Sequence, residues 1–384
     1  MSPHVLHVFP SFAPGGIQMR LATVLRGLPE SWRHSVLALD GVYSALEAGA
    51  WPSNVTPVMD GMEGPALEVR GGLLKRTLYT RRFIEGTGAN LVITNNWGSI
   101  EWALAARTLS NVGLIHTESG FGADEAFHLN PKRGLFRRFI LPGAEAILLC
   151  SQTLVEIARE TWRLPATKVH FVPDGIDLAR FANPKTQPLD LPFAAAAEAP
   201  VVIGCVAPLR PEKNLTALLD AFHMASERNP GLALAIAGDG GERSALEAHA
   251  RNLPCGDRIH FCGFLPEIER FLAAIDVCAL SSDTEQLPNS ILQAMCAGLP
   301  IAAFDVGDIS RMVAPANTPF IVPRRDIAAL SDAFLNLALK PKLRASLGAE
   351  NAKKCAETYG ESAMVKAYYR HMMHALGLEM MARS

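Results

Sequence analysis

Short apolar runs alternate with stretches of helical period along almost the whole chain. His4–Phe9, His34–Leu39, Leu91–Thr94, Gly113–His116, Ala146–Cys150 and Lys168–Val172 predict a first series of strands. Val201–Val206, Leu232–Ala237, Arg258–Cys262, Val277–Leu280 and Pro300–Phe304 predict a second. Many of these runs are continuously apolar rather than alternating, the pattern of parallel strands covered on both faces. Strands that alternate with helices predict α/β architecture with doubly wound sheets. The rhythm breaks once, at "ANPKTQPLDLPFAAAAEAP" (Ala182–Pro200), a Pro- and Ala-rich stretch that reads as a linker between two Rossmann-like halves. The expected plan is a domain over 1–181, a linker over 182–200 and a second domain over 201–359. A C-terminal helix over 360–384 follows, with packing back onto the first domain as one reading.

Composition narrows this picture without naming a chemistry. The chain has 384 residues, enough for two cores, with 49% hydrophobic and 19% charged residues. A net charge of −2 gives no support to a nucleic-acid partner. No apolar run has the length of a membrane span, and the start "MSPHVLHVFPSF" reads as a first strand, not a signal peptide. Seven cysteines without a CxxC pair read as reduced residues of a cytoplasmic protein, four of them in strand-like runs.

Candidate chemistry lies where strands give way to helices. "GCVAPLRPEKNLTALLDAF" is a strand, a loop with Arg210 and Lys213, and a helix; the basic pair suits a diphosphate, or is a solvated charged loop. "LAIAGDGGER" ends a strand in Gly238, Gly240 and Gly241, which admit a ligand to the backbone or simply turn the chain. "SSDTEQLPNSILQAMCAGLPI" follows a strand with Glu285 and opens a helix at Pro288. The free N–H groups near Asn289 and Ser290 would face an anion. Asn289 and Gln293 share one helix face, opposite the core stripe of Ile291, Leu292 and Met295. Glu285 would accept hydrogen bonds from sugar hydroxyls, or is an ordinary surface acid.

In this order and at these intervals, "RPEKN", "AGDGGER", "FCGF" and "TEQLPNSILQAMCAGLPIAAFDVGD" resemble the nucleotide-binding half of retaining glycosyltransferases of the GT-B fold, family 4. "APGGIQMRL" resembles that family's N-terminal glycine loop and "FVPDGIDLARF" its linker signal. "IHTESGFGADEAFHLNPKRGLFRRFIL" is similar to a bacterial subgroup. The resemblance implies two Rossmann-like domains and sugar transfer with retention, from a UDP- or GDP-linked donor to a glycan or polyprenyl-linked acceptor in surface polysaccharide or glycolipid synthesis. It implies no cofactor and no metal, and no Asp-x-Asp motif is present. It assigns His116, Glu285 and Lys213 to catalysis. The donor would be held by Gly15, Gly16, Arg210, Lys213, Gly238, Gly263, Glu285, Leu287, Asn289, Ser290 and Gln293. Asn95, Asn96 and Glu118 are the acceptor candidates.

The match departs from the family at three places. Gln293 stands where a second glutamate holds the ribose, and an amide accepts hydroxyl hydrogen bonds without charge assistance. Pro208 replaces a diphosphate-binding arginine, and Asp174 replaces an asparagine. "LNPKRGLFRRFILPG" interleaves Lys132, Arg133, Arg137 and Arg138 with apolar residues. A peripheral contact through 131–142 with the inner face of the plasma membrane and an ordinary surface helix both fit it. Two other classes stay open: a nucleotide-sugar 2-epimerase of the same fold, and a non-catalytic nucleotide-sugar-binding protein.

Overall fold

The computed structural model describes residues 2–49, 51–58, 72–121, 125, 128–183, 186–193 and 200–378. Two compact units divide the chain: Met1–Gly175 with Glu361–Ser384, and Ile176–Gly360. The chain passes between them at Gly175/Ile176 and at Gly360/Glu361, not in the Pro/Ala-rich stretch expected to be the linker. Its described residues belong to the second unit, where Leu189 N donates to Arg270 O at 2.8 Å. Residues 184, 185 and 194–199 of that stretch lie outside the described residues.

The first unit holds β1 (His4–Phe9), β2 (Arg33–Ala38), β3 (Val55–Pro57), β4 (Leu91–Asn95), β5 (Gly113–Glu118), β6 (Ala146–Leu149) and β7 (Val169–Phe171). Its helices are α1 (Gly16–Arg26), α2 (Ser44–Ala48), α3 (Leu73–Thr87), α4 (Ile100–Ala106), α5 (Pro131–Ile140) and α6 (Gln152–Glu156). The second unit holds β8 (Val201–Val206), β9 (Leu232–Ala237), β10 (Ile259–Gly263), β11 (Val277–Leu280), β12 (Ile301–Phe304) and β13 (Ile321–Val322). Its helices are α7 (Leu178–Phe181), α8 (Leu215–Arg228), α9 (Arg243–Asn252), α10 (Ile268–Leu272), α11 (Asn289–Cys296), α12 (Ile309–Met312), α13 (Ile327–Leu339) and α14 (Pro341–Thr358). The last helix, α15 (Glu361–Ala375), returns to the first unit and packs on α1 and β5.

Both sheets are parallel and doubly wound. The first runs β3-β2-β1-β4-β5-β6-β7 and the second β10-β9-β8-β11-β12-β13. The order reverses between β1 and β4 and again between β8 and β11. Loops leaving the carboxyl ends of those strands diverge to opposite faces and leave a crevice where ligands bind in such sheets. The central strands are buried throughout, which is why their sequences lack alternation. The first core gathers Val5, Phe9, Phe12, Leu25 and Ile93 with Met364, Tyr368 and Met372 of α15.

A buried ion pair joins two of the motifs read from the sequence. Arg20 of α1 donates to Asp174 at 2.8 Å, with both side chains nearly excluded from solvent. Arg20 sits among Leu21, Val24 and Leu25 on the inward face of α1, so its charge needs a partner. Asp174, one of the departures from the family pattern, supplies it. Among the described residues, no helix is long and apolar enough to cross a membrane. None of the seven cysteines is joined in a disulfide, and six are buried.

Candidate functional site

In the second unit the loops after β8 and β11 meet at the switch point. Pro211–Lys213 forms a single 3-10 turn, closed by Asn214 in the left-handed region at φ 47°. This turn points the Lys213 ammonium at the loop after β11, where Nζ donates to Glu285 Oε1 at 2.5 Å. Ser282 Oγ donates to the same oxygen at 2.7 Å. Both side chains of the pair are mostly buried yet keep some solvent contact. Ser281 fastens the two loops by bonding the carbonyls of Lys213 and Asn214 at 3.1 and 3.0 Å.

Asp283 is the second brace. It accepts from Arg325 at 2.7 and 2.8 Å and from the Asn214 amide at 3.4 Å, with Arg324 at 3.5 Å. Burial pushes its carboxyl up, but the Arg325 bonds and charge, with Arg324 and Asn214, outweigh that and hold it below the ordinary aspartate value. Sequence reasoning passed over Asp283, Arg325 and Ser282. An acid directly after two serines at a strand end was the available signal.

α11 begins at Asn289, four residues after Glu285. Pro288 occupies its cap position and no side chain caps this end, leaving backbone N–H groups for an anion to satisfy. Leu287 is buried, while Asn289 and Ser290 are half-buried. Gln293 is half-buried on the same face as Asn289, one turn further on, and Ile291, Leu292, Ala294 and Met295 are buried. Arg210 is exposed beside the exposed Pro208 and makes no contact with Glu285 among the described bonds.

The glycines behind this site have a reason in the fold itself. Gly238 and Gly240 have φ of 142° and 158°, and a Cβ on either would meet the carbonyl oxygen of Ala207 or Leu209 at 1.9 or 2.5 Å. The strand-end loops of β8 and β9 touch backbone to backbone there, so the space the sequence reading reserved for a ligand at Gly238 is filled by the protein. Gly263 donates no side chain either; its carbonyl accepts from Gly238 N at 2.8 Å.

In the first unit the expected residues gather at the ends of β4 and β5. Asn95 is buried and serves the sheet: its amide donates to Val8 O at 3.1 Å, and Thr117 Oγ1 donates to its Oδ1 at 2.7 Å. With Arg20, Tyr368 and Met372 it lines a cavity between α1, α15 and the sheet. Asn96 is half-buried with φ 56° and ψ 176°, a conformation costly for any residue but glycine. It is held there by Asn96 N to Thr117 O at 2.8 Å and Ser119 N to Asn96 Oδ1 at 2.9 Å. Gly15 and Gly16 are exposed at the start of α1.

His116 and Glu118 differ from expectation. His116 is wholly buried, with Nδ1 2.8 Å from Thr94 Oγ1 and Nε2 3.4 Å from Glu118 Oε2. Glu118 does not face outward to an acceptor. It is buried, and Arg137 of α5 grips both its oxygens at 3.1 and 2.6 Å. Burial pushes the Glu118 carboxyl up, and the His116 bond together with Arg137's charge more than reverses that, leaving it below the usual glutamate value. Arg137 in turn reaches Glu125 at 3.3 Å and lies over Trp97 and Trp162, 4.9 and 4.5 Å from their ring centres. The chain Thr94–His116–Glu118–Arg137–Glu125 is a continuous buried polar network. Strict alternation of His116 and Glu118 on β5 places both side chains on one face of the sheet, which explains their meeting. Among the described residues, no group of three His, Cys, Asp or Glu side chains is placed to hold a metal ion.

Comparison with known proteins agrees for both units. Residues 15–175 match the glycosyl transferase 4-like domain and residues 190–354 match the glycosyl transferases group 1 family. A 2-deoxystreptamine N-acetyl-D-glucosaminyltransferase from Streptomyces fradiae is 29% identical over 228 residues, 55% of this chain and 54% of that protein. A D-inositol 3-phosphate glycosyltransferase from Corynebacterium urealyticum is 26% identical over 307 residues, covering 73% and 70%. The chain spans about half the length of the first of these curated relatives. Among solved structures, Anabaena Alr3699/HepE in complex with UDP superposes with a TM-score of 0.78 at 16% identity, covering 97% of this chain and all of that one. Sucrose-phosphate synthase from Thermosynechococcus elongatus gives 0.77 at 20%, with 97% and 100% covered. At such identities the structural likeness speaks for the fold, which is GT-B, and the family matches place a glycosyltransferase domain in each half of the chain.

Proposed function

We propose that this two-domain glycosyltransferase moves a hexose from a nucleoside diphosphate to a glycan or polyprenyl-linked acceptor, with retention at the anomeric carbon and without a metal ion. The observation that carries the reading is the Lys213–Glu285 pair, set beside the uncapped start of α11 at the β8/β11 switch point. In this reading the diphosphate lies against the α11 N–H groups and the Lys213 ammonium. Both are fixed before the reaction and meet the charge that grows on the leaving group, the kind of preorganised electrostatics that accelerates such steps most. Glu285 accepts from hydroxyls of the donor sugar, and Gln293, one turn into α11, faces the ribose. Retention, UDP or GDP as the donor base, and synthesis of surface polysaccharide or glycolipid follow from the family resemblance. UDP in the structure of Alr3699/HepE supports a uridine donor. Seven cysteines outside any disulfide suit the reducing cytoplasm as the place of action.

The burial of His116 gives it a different part from direct contact with the sugar. It orders the end of β5 through Thr94 and Glu118, and its substitution acts on turnover through the position of that loop. The family matches favour transfer over 2-epimerisation, which needs no acceptor. The test is incubation with UDP- and GDP-sugars, each with and without pooled glycan and lipid-linked acceptors. Transfer that requires acceptor and is lost in Glu285→Gln supports the proposal. A changed sugar on the nucleotide without acceptor would point to the epimerase, and binding without turnover to a non-catalytic protein.

A further inference from the structure

Apolar and charged groups are unevenly placed on the first unit. Twelve large hydrophobic side chains are exposed among the described residues, and six of them sit on two helices: Leu73, Leu74, Leu78 and Tyr79 on α3, Leu135 and Phe139 on α5. Leu74 is 74% exposed and Phe139 67%, far more than a helix that merely rims a core would leave. α4 joins the two helices into one layer. Arg76 of α3 pairs with Glu101 of α4 at 2.7 Å, Phe83 packs edge-on against Trp102, and Arg107 just beyond α4 donates to the Phe139 carbonyl at 2.7 Å.

The charge of this layer is one-sided. Lys75, Arg82, Lys132 and Arg138 are exposed and have no ion-pair partner among the described residues. Among the described residues of α3, α4 and α5 the acids are Glu85 and Glu101, and each is occupied by an arginine of α3. Thus, in a chain with a net charge of −2, the unpaired charges of this face are all positive among the described residues. Of the four basic residues expected in the 131–142 segment, Arg137 is buried and Arg133 is paired with Glu125. α5 alone is therefore a weaker basic element than its sequence promised, and α3 makes up the difference.

We propose that the α3–α5 face docks on an anionic lipid bilayer. Protruding leucines and a phenylalanine enter between headgroups, and the flanking lysines and arginines meet the surface charge, the arrangement of interfacial amphipathic helices. A second copy of this chain fits the face less well, because a two-fold contact would set the same unpaired cations against each other. The proposal stands beside sugar transfer, and its test needs no turnover.

The full chain is mixed with phosphatidylcholine vesicles, with and without phosphatidylglycerol, and bound protein is measured by flotation. Binding should require phosphatidylglycerol and weaken as salt rises. Lys75→Glu with Arg138→Glu should lower the partition coefficient by at least ~5-fold per residue changed, the effect of one basic group near such a surface. Leu74→Ser with Phe139→Ser should lower it while leaving the salt dependence in place. Arg251→Glu with Lys342→Glu, exposed on the second unit, changes net charge equally and should leave binding as it was. Circular dichroism and the thermal midpoint verify that each variant folds. Failure of the wild type to float with anionic vesicles overturns the proposal. So does equal loss in the second-unit control, and so does vesicle-independent self-association that Leu74→Ser with Phe139→Ser abolishes, which would mark a protein interface.

Discussion

Lys213 and Glu285 touch each other, so removing the lysine should weaken nucleotide binding while neutralising the glutamate should not. The ammonium has three donors, and one is spent on Glu285 Oε1 at 2.5 Å. Two remain for a diphosphate. Lys213→Ala removes them together with a positive charge in a mostly buried setting. Hydrogen bonds to charged groups contribute about 1.5–3 kcal/mol, so the dissociation constant of the nucleoside diphosphate should rise by roughly 10- to 150-fold. Glu285→Gln keeps the shape and an acceptor for Ser282, but removes the negative charge that competes for Lys213 and repels the phosphates. Nucleoside diphosphate affinity should stay or rise, by up to about tenfold, while sugar transfer falls by a factor of 100 or so from loss of the charged contact to the sugar. Calorimetric titration with UDP and with GDP, beside initial rates, reads both effects. If the two substitutions weaken nucleotide binding alike, the pair is an ordinary fold-stabilising ion pair and the diphosphate lies elsewhere.

Three further outcomes follow from the same geometry. Gln293→Glu should tighten nucleotide binding by up to about tenfold through a charge-assisted bond to the ribose, and calorimetry showing no change in this variant and in Gln293→Ala would remove Gln293 from the site. Arg137→Met should destabilise the first unit by about 3–5 kcal/mol because Glu118 and Glu125 keep buried charges; all five tryptophans lie in this unit, so urea unfolding followed by their fluorescence reads it selectively, and a loss under ~1 kcal/mol would refute the network. The first unit should also weaken as pH falls from about 6.5 to 4: burial, then His4, holds His34 at about 4, and burial, then His170, Arg370 and His374, holds His371 at about 4. The unfolded chain binds those protons first, so stability present above pH 6.5 is lost through that window, at up to ~1.4 kcal/mol per pH unit for His34; an unfolding midpoint that does not fall between pH 7 and 5 would refute the neutral burial.

The strands were readable because burial on both faces writes itself into the sequence as unbroken apolar runs, and eleven of the thirteen described strands lie within two residues of the predicted bounds at either end. β3 and β13 escaped because they are edge strands of three and two residues, the first ending in proline, too short to carry any period. The domain boundary failed for a related reason. Composition marks where a chain is irregular, whereas the crossing point is set by which core each segment buries against, and 178–183 and 186–193 side with α11 and α10 through contacts no local pattern encodes. The same limit divides the site residues. Glu285 and Lys213 are placed by loops of fixed length at the ends of neighbouring strands, so their spacing in sequence was enough to bring them together. His116 and Glu118 share a face of β5 by the same rule, and that much was legible. Their burial was not, because it depends on Arg137, nineteen residues after Glu118 on the following helix. A basic residue in an amphipathic segment reads as surface until an inward acid is known to need it. Arg20 makes the point from the other side. Its place on the apolar stripe of α1 called for a buried acid, and Asp174, where the family carries an asparagine, is the departure that answers it. Departures from a family pattern are thus best examined as pairs: a charge gained at one position is a reason to look for its complement in the core.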